Sequence, residues 1–276
     1  MKILKKEILT DALGSRVARL EIEAPLIASK ARPGQFVVLM VKKEGERIPL
    51  TVAASDEKEG RITLIFQELG LTTKLLGKAE EGDSLYSLVG PLGHATEIKK
   101  YGSVILIGGG VGIAEVYPVA KAMSAVAGNK VITIIGARTK GLLILEEELR
   151  AVSSELHVAT DDGSYGTKGF VTDILAYSLK LKAYSLVYAV GPIPMMKAVA
   201  NATKNSGIKT TVSLNALMVD GTGMCGSCRV TVDGKVKFSC VDGPEFDAHL
   251  VDWDELDKRS RIYVEKEKHI CKLSKL

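Results

Sequence analysis

The chain has 276 residues, 46% hydrophobic and 25% charged, the balance of a folded globular protein rather than a disordered one. At roughly 100–200 residues per domain, that length suggests two domains. Its 37 basic and 33 acidic residues leave a formal net charge of +4, too even to argue for nucleic acid, and no basic stripe with interleaved aromatics occurs. The longest apolar runs, Val104–Ile107 and Val131–Ile135, are too short to span a bilayer. Met1–Lys6 lacks the apolar stretch of a signal peptide. A cytoplasmic protein that does not engage membrane is therefore expected.

Residues 1–100 read as short strands and turns. Arg16–Glu23 and Arg61–Phe66 alternate apolar and polar side chains, Phe36–Val41 is a continuous apolar strand, and Leu85–Val89 runs into a Gly-Pro turn. Thr72–Leu76 reads as a helical interruption. Such a pattern suggests an antiparallel barrel or sandwich. From residue 101 the rhythm changes. Strands are expected at Val104–Ile107, Val131–Ile135, Leu156–Thr160, Leu186–Val190 and Lys209–Leu214. Helices are expected from the glycine-rich turn to about Ala127, then at Leu143–Val152, Gly169–Leu179 and Pro194–Asn205. This alternation over 101–214 means a doubly wound parallel sheet. Residues 215–276 break the pattern. Asn215–Gly243 has too little apolar sequence for a core of its own and reads as a small metal-organised module. The charged tail from Arg259 suits a surface helix or a partly disordered end. The expected class is α/β plus all-β.

Three of the four cysteines follow the spacing Cys225-x2-Cys228-x11-Cys240, with Cys271 alone near the end. Clustering of this kind in a cytoplasmic chain points to metal or redox chemistry. Plant-type 2Fe–2S ferredoxins use C-x4-C-x2-C and a distant fourth cysteine. Counting back four intervening residues from Cys225 lands on Asp220, and a carboxylate is an acceptable, if harder, iron ligand. Gly221, Gly223 and Gly226 suit a loop that wraps a cluster. A 2Fe–2S cluster on Asp220, Cys225, Cys228 and Cys240 is the leading reading. Zinc, Cys271 as fourth ligand, and ordinary buried cysteines are its alternatives.

Gly108–Gly112 follows a strand and opens a helix, so its backbone could approach a phosphate, Gly109, Gly110, Val111 and Gly112 above all. The loop lacks the full G-x-G-x-x-G pattern, and a plain tight turn is the alternative. Loops at the same ends of the neighbouring strands hold Arg138 and Lys140, then Asp162, then Gly191, Pro192 and Met195. Arg138 and Lys140 would suit a 2′-phosphate or be solvated charges. Glu115 is either a nicotinamide or flavin-edge contact or a carboxylate favoured by the helix dipole.

Taken together, RIPLT at 47–51, GGGVGIAEVYP at 108–118, DGSYGTKG at 162–169, SLN at 213–215, MVDGTGMCGSC at 218–228 and FSCVDGPEF at 238–246 resemble the ferredoxin–NADP reductase superfamily. More narrowly, they resemble the small-subunit family of NADH-dependent reduced ferredoxin:NADP+ oxidoreductases, also called sulfide dehydrogenase small subunits. That family is related to the electron-transfer subunit of dihydroorotate dehydrogenase. The resemblance implies FAD on the barrel, with Arg47, Pro49, Leu50 and Thr51 against the flavin. Ile65, Phe66 and Gln67 would lie on the following strand, and Gly70, Thr72 and Thr73 at the pyrophosphate loop. Without the family, Arg47 is a surface charge and Thr72 and Thr73 a helix cap. The resemblance further implies that Asp220, Cys225, Cys228 and Cys240 hold the 2Fe–2S cluster, Asp at the first position marking the narrow branch and Cys the dihydroorotate branch.

The implied activity is electron transfer between NAD(H), or NADP(H), FAD and the cluster. FAD would join two-electron hydride chemistry to one-electron cluster chemistry. The implied partner is a large flavin and 4Fe–4S subunit forming a heterodimer, with ferredoxin reached through that partner in electron bifurcation. Two other readings are an electron-transfer subunit of a dihydroorotate or sulfide dehydrogenase, and a non-catalytic metal-binding regulatory protein.

Overall fold

The computed structural model describes residues 1–273, the side chains of Lys268 and of residues 271–273 excepted. In chain order the elements are β1 (Ile3–Ala12), β2 (Ser15–Glu23), α1 (Pro25–Ala28), β3 (Phe36–Met40), β4 (Ile48–Asp56), β5 (Arg61–Gln67), α2 (Leu71–Gly77) and β6 (Ser87–Leu92). There follow β7 (Ser103–Gly109), α3 (Ile113–Ser124), β8 (Lys130–Ala137), α4 (Glu146–Val152), β9 (Glu155–Thr160), β10 (Thr167–Lys168), α5 (Val171–Leu181), β11 (Leu186–Val190), α6 (Ile193–Thr203) and β12 (Lys209–Ser213). The chain ends with β13 (Arg229–Val232), β14 (Lys235–Phe238), β15 (Glu245–Asp247), α7 (Trp253–Ser260) and α8 (Val264–Leu273). Two compact units emerge. One comprises Met1–Ala95, Asn215–Pro244 and Asp252–Leu276, the other Thr96–Leu214 and Glu245–Val251.

The first unit is built on a six-stranded antiparallel sheet in the order β1-β2-β5-β4-β3-β6. Alternation sends Leu20 and Ile22 of β2, Ile62, Leu64 and Phe66 of β5, and Val37 and Leu39 of β3 into one core. The sheet curls towards closure. Ile3 donates to the Asp83 carbonyl at 2.8 Å, and Gly82 and Leu85 donate to Ile3 and Met1 at 2.9 Å, joining the start of β1 to the segment before β6. Strands β1 and β4 were not legible in the sequence. Lysines and glutamate interrupt the apolar period of β1. Pro49 lies in β4 where the strand pairs only with β3, its ladder with β5 beginning at Val52 and Leu64, so its missing N–H costs nothing.

The second unit holds a seven-stranded sheet, β10-β9-β8-β7-β11-β12-β15, parallel except at β15. Val104–Ile107 and Val131, Ile132, Ile134 and Ile135 are at most 1% exposed, as a sheet covered on both faces requires. From β7 the chain moves outward through β8 and β9, then returns to place β11 on the other side of β7. The switch point of the sheet therefore lies between β7 and β11. The helix expected from Leu143 begins at Glu146, because Leu145 takes a φ of +56°. The charged tail is helical in α7 and α8. Strand β15 is too short to leave a sequence period, yet Phe246 pairs with Val212.

Candidate functional site

The loop before β13 is shaped by backbone that favours glycine: Gly221, Gly223 and Gly226 have φ of +74°, +85° and +69°. A Cβ on Gly221 would stand 2.8 Å from Val38 Cγ2 and 2.9 Å from Leu92 Cδ1, so the loop lies directly on β3 and β6. This explains how a segment too polar for its own core is held. The Asp220 carboxylate organises the turn, Oδ1 accepting from the Thr222 amide at 2.9 Å and Oδ2 from the Cys225 amide at 2.8 Å. These amides, Thr222 first, hold the carboxyl below its ordinary range.

Cys228 precedes the β13–β14 hairpin and Cys240 follows it. Pairing of Arg229 with Phe238 brings their sulfurs to 3.1 Å. Both cysteines are buried, while Cys225 is exposed. Burial, then the Cys228 sulfur, pushes the Cys240 thiol up to about 12. The Gly223 amide and the Asp220 charge also act on that thiol, so loop and hairpin donors face one another. The Ser227 hydroxyl, then its amide, lowers the Cys225 thiol.

The four donors thus form two pairs, Asp220 with Cys225 and Cys228 with Cys240. Among the described residues no three or more His, Cys, Asp or Glu side chains converge as a mononuclear ion would need. Two ligands on each of two irons is what a 2Fe–2S cluster takes, and this donor set fits it better than zinc. The side chain of Cys271 lies outside the described residues. Sequence reasoning missed Arg259 of α7, whose guanidinium donates to the Ser227 carbonyl at 2.9 Å and the Arg229 carbonyl at 3.1 Å, bracing the loop. The legible signal was Asp252, which caps α7 ahead of Asp254 and Glu255.

In the parallel sheet, the Gly108–Gly112 loop and the loop after β11 meet at the switch point. Gly110 has a φ of +57°, and Gly110–Gly112 forms a single 3-10 turn into α3. A Cβ on Gly112 would stand 2.6 Å from the Val190 carbonyl oxygen. One on Gly191 would reach the Met195 Cε at 2.6 Å and the Gly109 Cα at 3.1 Å. Gly109, Gly112, Gly191, Pro192 and Met195 therefore share one tight seam, and the glycines are required by close approach. Val111 sits half-buried in the turn, and Glu115 in the first turn of α3. On the next strands, Arg138 is exposed, and the Asp162 amide donates to its carbonyl at 3.2 Å. Asp162 Oδ1 accepts from the Ser164 amide and hydroxyl at 2.9 and 2.7 Å, and Ser164 Oγ accepts from the Lys140 amide at 2.8 Å. Lys140 lies 4.9 Å from the Tyr165 ring. It is thereby turned away from the role of a free cation.

In the barrel, Arg47 is exposed at the entry to β4, and Pro49, Leu50 and Thr51 are half-buried within it. Ile65 and Phe66 are buried at the end of β5, and Gln67 hydrogen-bonds Ser15 Oγ. Thr72 donates to the Glu46 carboxylate beside Arg47. Thr73 Oγ1 accepts from the Leu69 and Gly70 amides, each at 3.0 Å, as the cap of α2. Strand pairing and the Glu46–Thr72 bond bring the three segments to one end of the barrel.

An antiparallel barrel, a parallel sheet with a glycine seam at its switch point, and a two-by-two thiolate and carboxylate loop define the class: an oxidoreductase with a nucleotide-binding domain and an iron–sulfur module. Residues 215–252 match the iron–sulfur cluster binding domain of dihydroorotate dehydrogenase B, and residues 106–201 the oxidoreductase NAD-binding domain. The chain is 51% identical over 247 residues to the dihydroorotate dehydrogenase B (NAD+) electron transfer subunit homolog of Thermotoga maritima, covering 90% of this chain and 87% of that one. It is 37% identical to the dihydroorotate dehydrogenase B (NAD+) electron transfer subunit of Bacillus caldolyticus, over 86% and 93% of the two chains. A solved structure of NADH-dependent reduced ferredoxin–NADP oxidoreductase superposes with a TM-score of 0.90 at 48% identity, over 97% of this chain and 95% of that one. A ferredoxin–NADP+ reductase from Plasmodium falciparum shares the fold, at 17% identity and a TM-score of 0.62. The chain belongs to the family of dihydroorotate dehydrogenase B electron-transfer subunits and their homologues. Among the described residues no helix is long and apolar enough to cross a membrane.

Proposed function

We propose that the chain is the electron-transfer subunit of a flavin-based, electron-bifurcating ferredoxin:NADP+ oxidoreductase, working between NAD(H), FAD and a 2Fe–2S cluster. The observation that carries it is the cluster loop, with paired sulfurs 3.1 Å apart opposite Asp220, in a chain that also carries a glycine seam at a sheet switch point. Flavin, when bound, exchanges a hydride with nicotinamide and single electrons with iron–sulfur centres.

Residues 1–100 are assigned to FAD, 101–214 to the nucleotide and 215–276 to the cluster. Arg47, Pro49, Leu50, Thr51, Ile65, Phe66, Gln67, Gly70, Thr72 and Thr73 would hold the flavin. The nucleotide would lie on Gly109, Gly110, Val111 and Gly112, flanked by Gly191, Pro192 and Met195, with Arg138 and Asp162 towards its ribose. Asp220, Cys225, Cys228 and Cys240 would ligate the irons. Gly221 presses the cluster loop onto the barrel, and Arg259 fixes its hairpin end. The partner would be a large flavin and 4Fe–4S subunit through which ferredoxin is reached, in the cytoplasm.

Absorbance and EPR spectra of the purified chain test this. A flavin and a 2Fe–2S signal, about one of each, are expected, with NADH-linked dye reduction. A colourless protein would overturn the reading and leave a regulatory metal-binder. The match of 215–252 favours a second reading, electron transfer for dihydroorotate oxidation. Dihydroorotate-linked NAD+ reduction with the reconstituted partner would establish that one instead.

A further inference from the structure

Helix α5 buries Val171, Ile174, Leu175 and Ser178 against β8, β9 and α6. Its opposite face is unusual for a chain so rich in charge. Phe170 at the cap, Tyr177 and Leu181 are 61%, 65% and 60% exposed. At 3.6 residues per turn, these three fall within about 40° of one another. They form a single apolar stripe, with Asp173 and Lys180 exposed beside it.

The order of residues along that stripe is self-complementary. Turned end for end about a point between Ala176 and Tyr177, Asp173 falls on Lys180 and Ala176 falls on Tyr177. Phe170 and Leu181 exchange places to within a residue or two. A two-fold interface demands this property, since each residue must meet its counterpart in both directions. We infer that this face is a contact between two copies of the chain, α5 packing antiparallel on α5. Ala176 and Tyr177 lie at the axis, small against large, and Asp173 pairs with Lys180 of the other copy. Asp173 and Lys180 are about 10 Å apart along the helix, so the ion pairs flank the apolar centre on either side. Asp173 Oδ2 accepts from the Phe170 amide at 2.8 Å, leaving Oδ1 for the pair. The Lys180 ammonium has no partner among the described residues.

Three such side chains from each copy remove on the order of 600 Å² of apolar surface from water. That is below the range of stable interfaces, so the association is weak and rises with concentration.

Sedimentation velocity of the full, cofactor-loaded chain across a concentration series tests the inference. Expected is a monomer–dimer equilibrium whose dissociation constant rises at least about tenfold with Tyr177→Glu and with Lys180→Glu. Lys180→Arg should restore it. Ala176→Cys should cross-link covalently between copies under mild oxidation, above the background of the parent chain. Unchanged flavin and cluster absorbance in the Tyr177→Glu protein confirms that its fold is kept. A monomer at every concentration overturns the inference, as does a dimer indifferent to both substitutions. It is overturned equally if the chain alone is monomeric and Tyr177→Glu instead releases a co-purifying large subunit.

Discussion

Asp220 serves two purposes that a cysteine at the same place would divide differently. Its two oxygens tie down the amides of Thr222 and Cys225, so the carboxylate builds the turn that presents it. Asp220→Ala leaves both amides unanswered and removes one donor. Iron content should fall at least about tenfold, the scale of losing even an outer-shell partner. Asp220→Cys should keep the cluster with a changed reduction potential, because a softer ligand replaces a harder one. An unaltered EPR signal and iron content in Asp220→Ala would remove Asp220 from the ligand set.

Glu245 is the other carboxylate with an unusual setting. It accepts from the Tyr188 hydroxyl at 3.0 Å and from the Thr96 hydroxyl, and burial raises its pKa above the ordinary 4.5. The folded chain therefore keeps this proton after the unfolded chain has lost it. Stability from this group is full below pH 4.5 and declines as pH rises towards the folded value, beyond which the penalty stays constant. Glu155 behaves oppositely. Lys130, then Lys182, hold it at about 2, so its contribution is present above 4.5 and is lost as pH falls towards 2. Glu245→Gln should flatten the decline of melting temperature above pH 4.5 and leave the acid side unchanged. A pH series of melting curves checks this.

At the scale of elements, the seam between β7 and β11 is the most sensitive place in the second unit. Gly112→Ala sets a methyl 2.6 Å from the Val190 carbonyl oxygen, against backbone that cannot rotate away. The turn must open, at a stability cost of about 1–3 kcal/mol. NADH affinity, read by titration, should weaken more than global stability does, because the displaced amides are those that face the nucleotide. Gly110→Ala is the informative contrast: a Cβ there meets nothing within 4 Å, and only its φ of +57° is strained.

For the whole molecule, the path of the chain matters more than the domain count. The second unit contains Thr96–Leu214 together with Glu245–Val251, so its sheet is completed by a strand from beyond the cluster loop. A fragment of 96–214 would lose β15, leave β12 as an open edge, and strip the buried Tyr188 of its Glu245 partner. It should aggregate where the full chain stays dispersed, measurable by light scattering at equal concentration. A dispersed, NADH-binding fragment would contradict this.

Much was written in the residues themselves. Continuous apolar runs over 104–107 and 131–135 dictated buried parallel strands, because only a sheet covered on both faces tolerates them. The Cys225-x2-Cys228-x11-Cys240 spacing and Asp220 dictated iron chemistry, because ligand type and interval are local properties. Tertiary structure alone decided the rest. That Gly221 seats the cluster loop on Val38 and Leu92, that Arg259 braces it, and that Glu245 belongs to the nucleotide sheet are contacts between residues far apart in sequence. Strands β1, β4 and β15 escaped for the same reason: their conformation comes from the ladders they join, not from a hydrophobic period of their own.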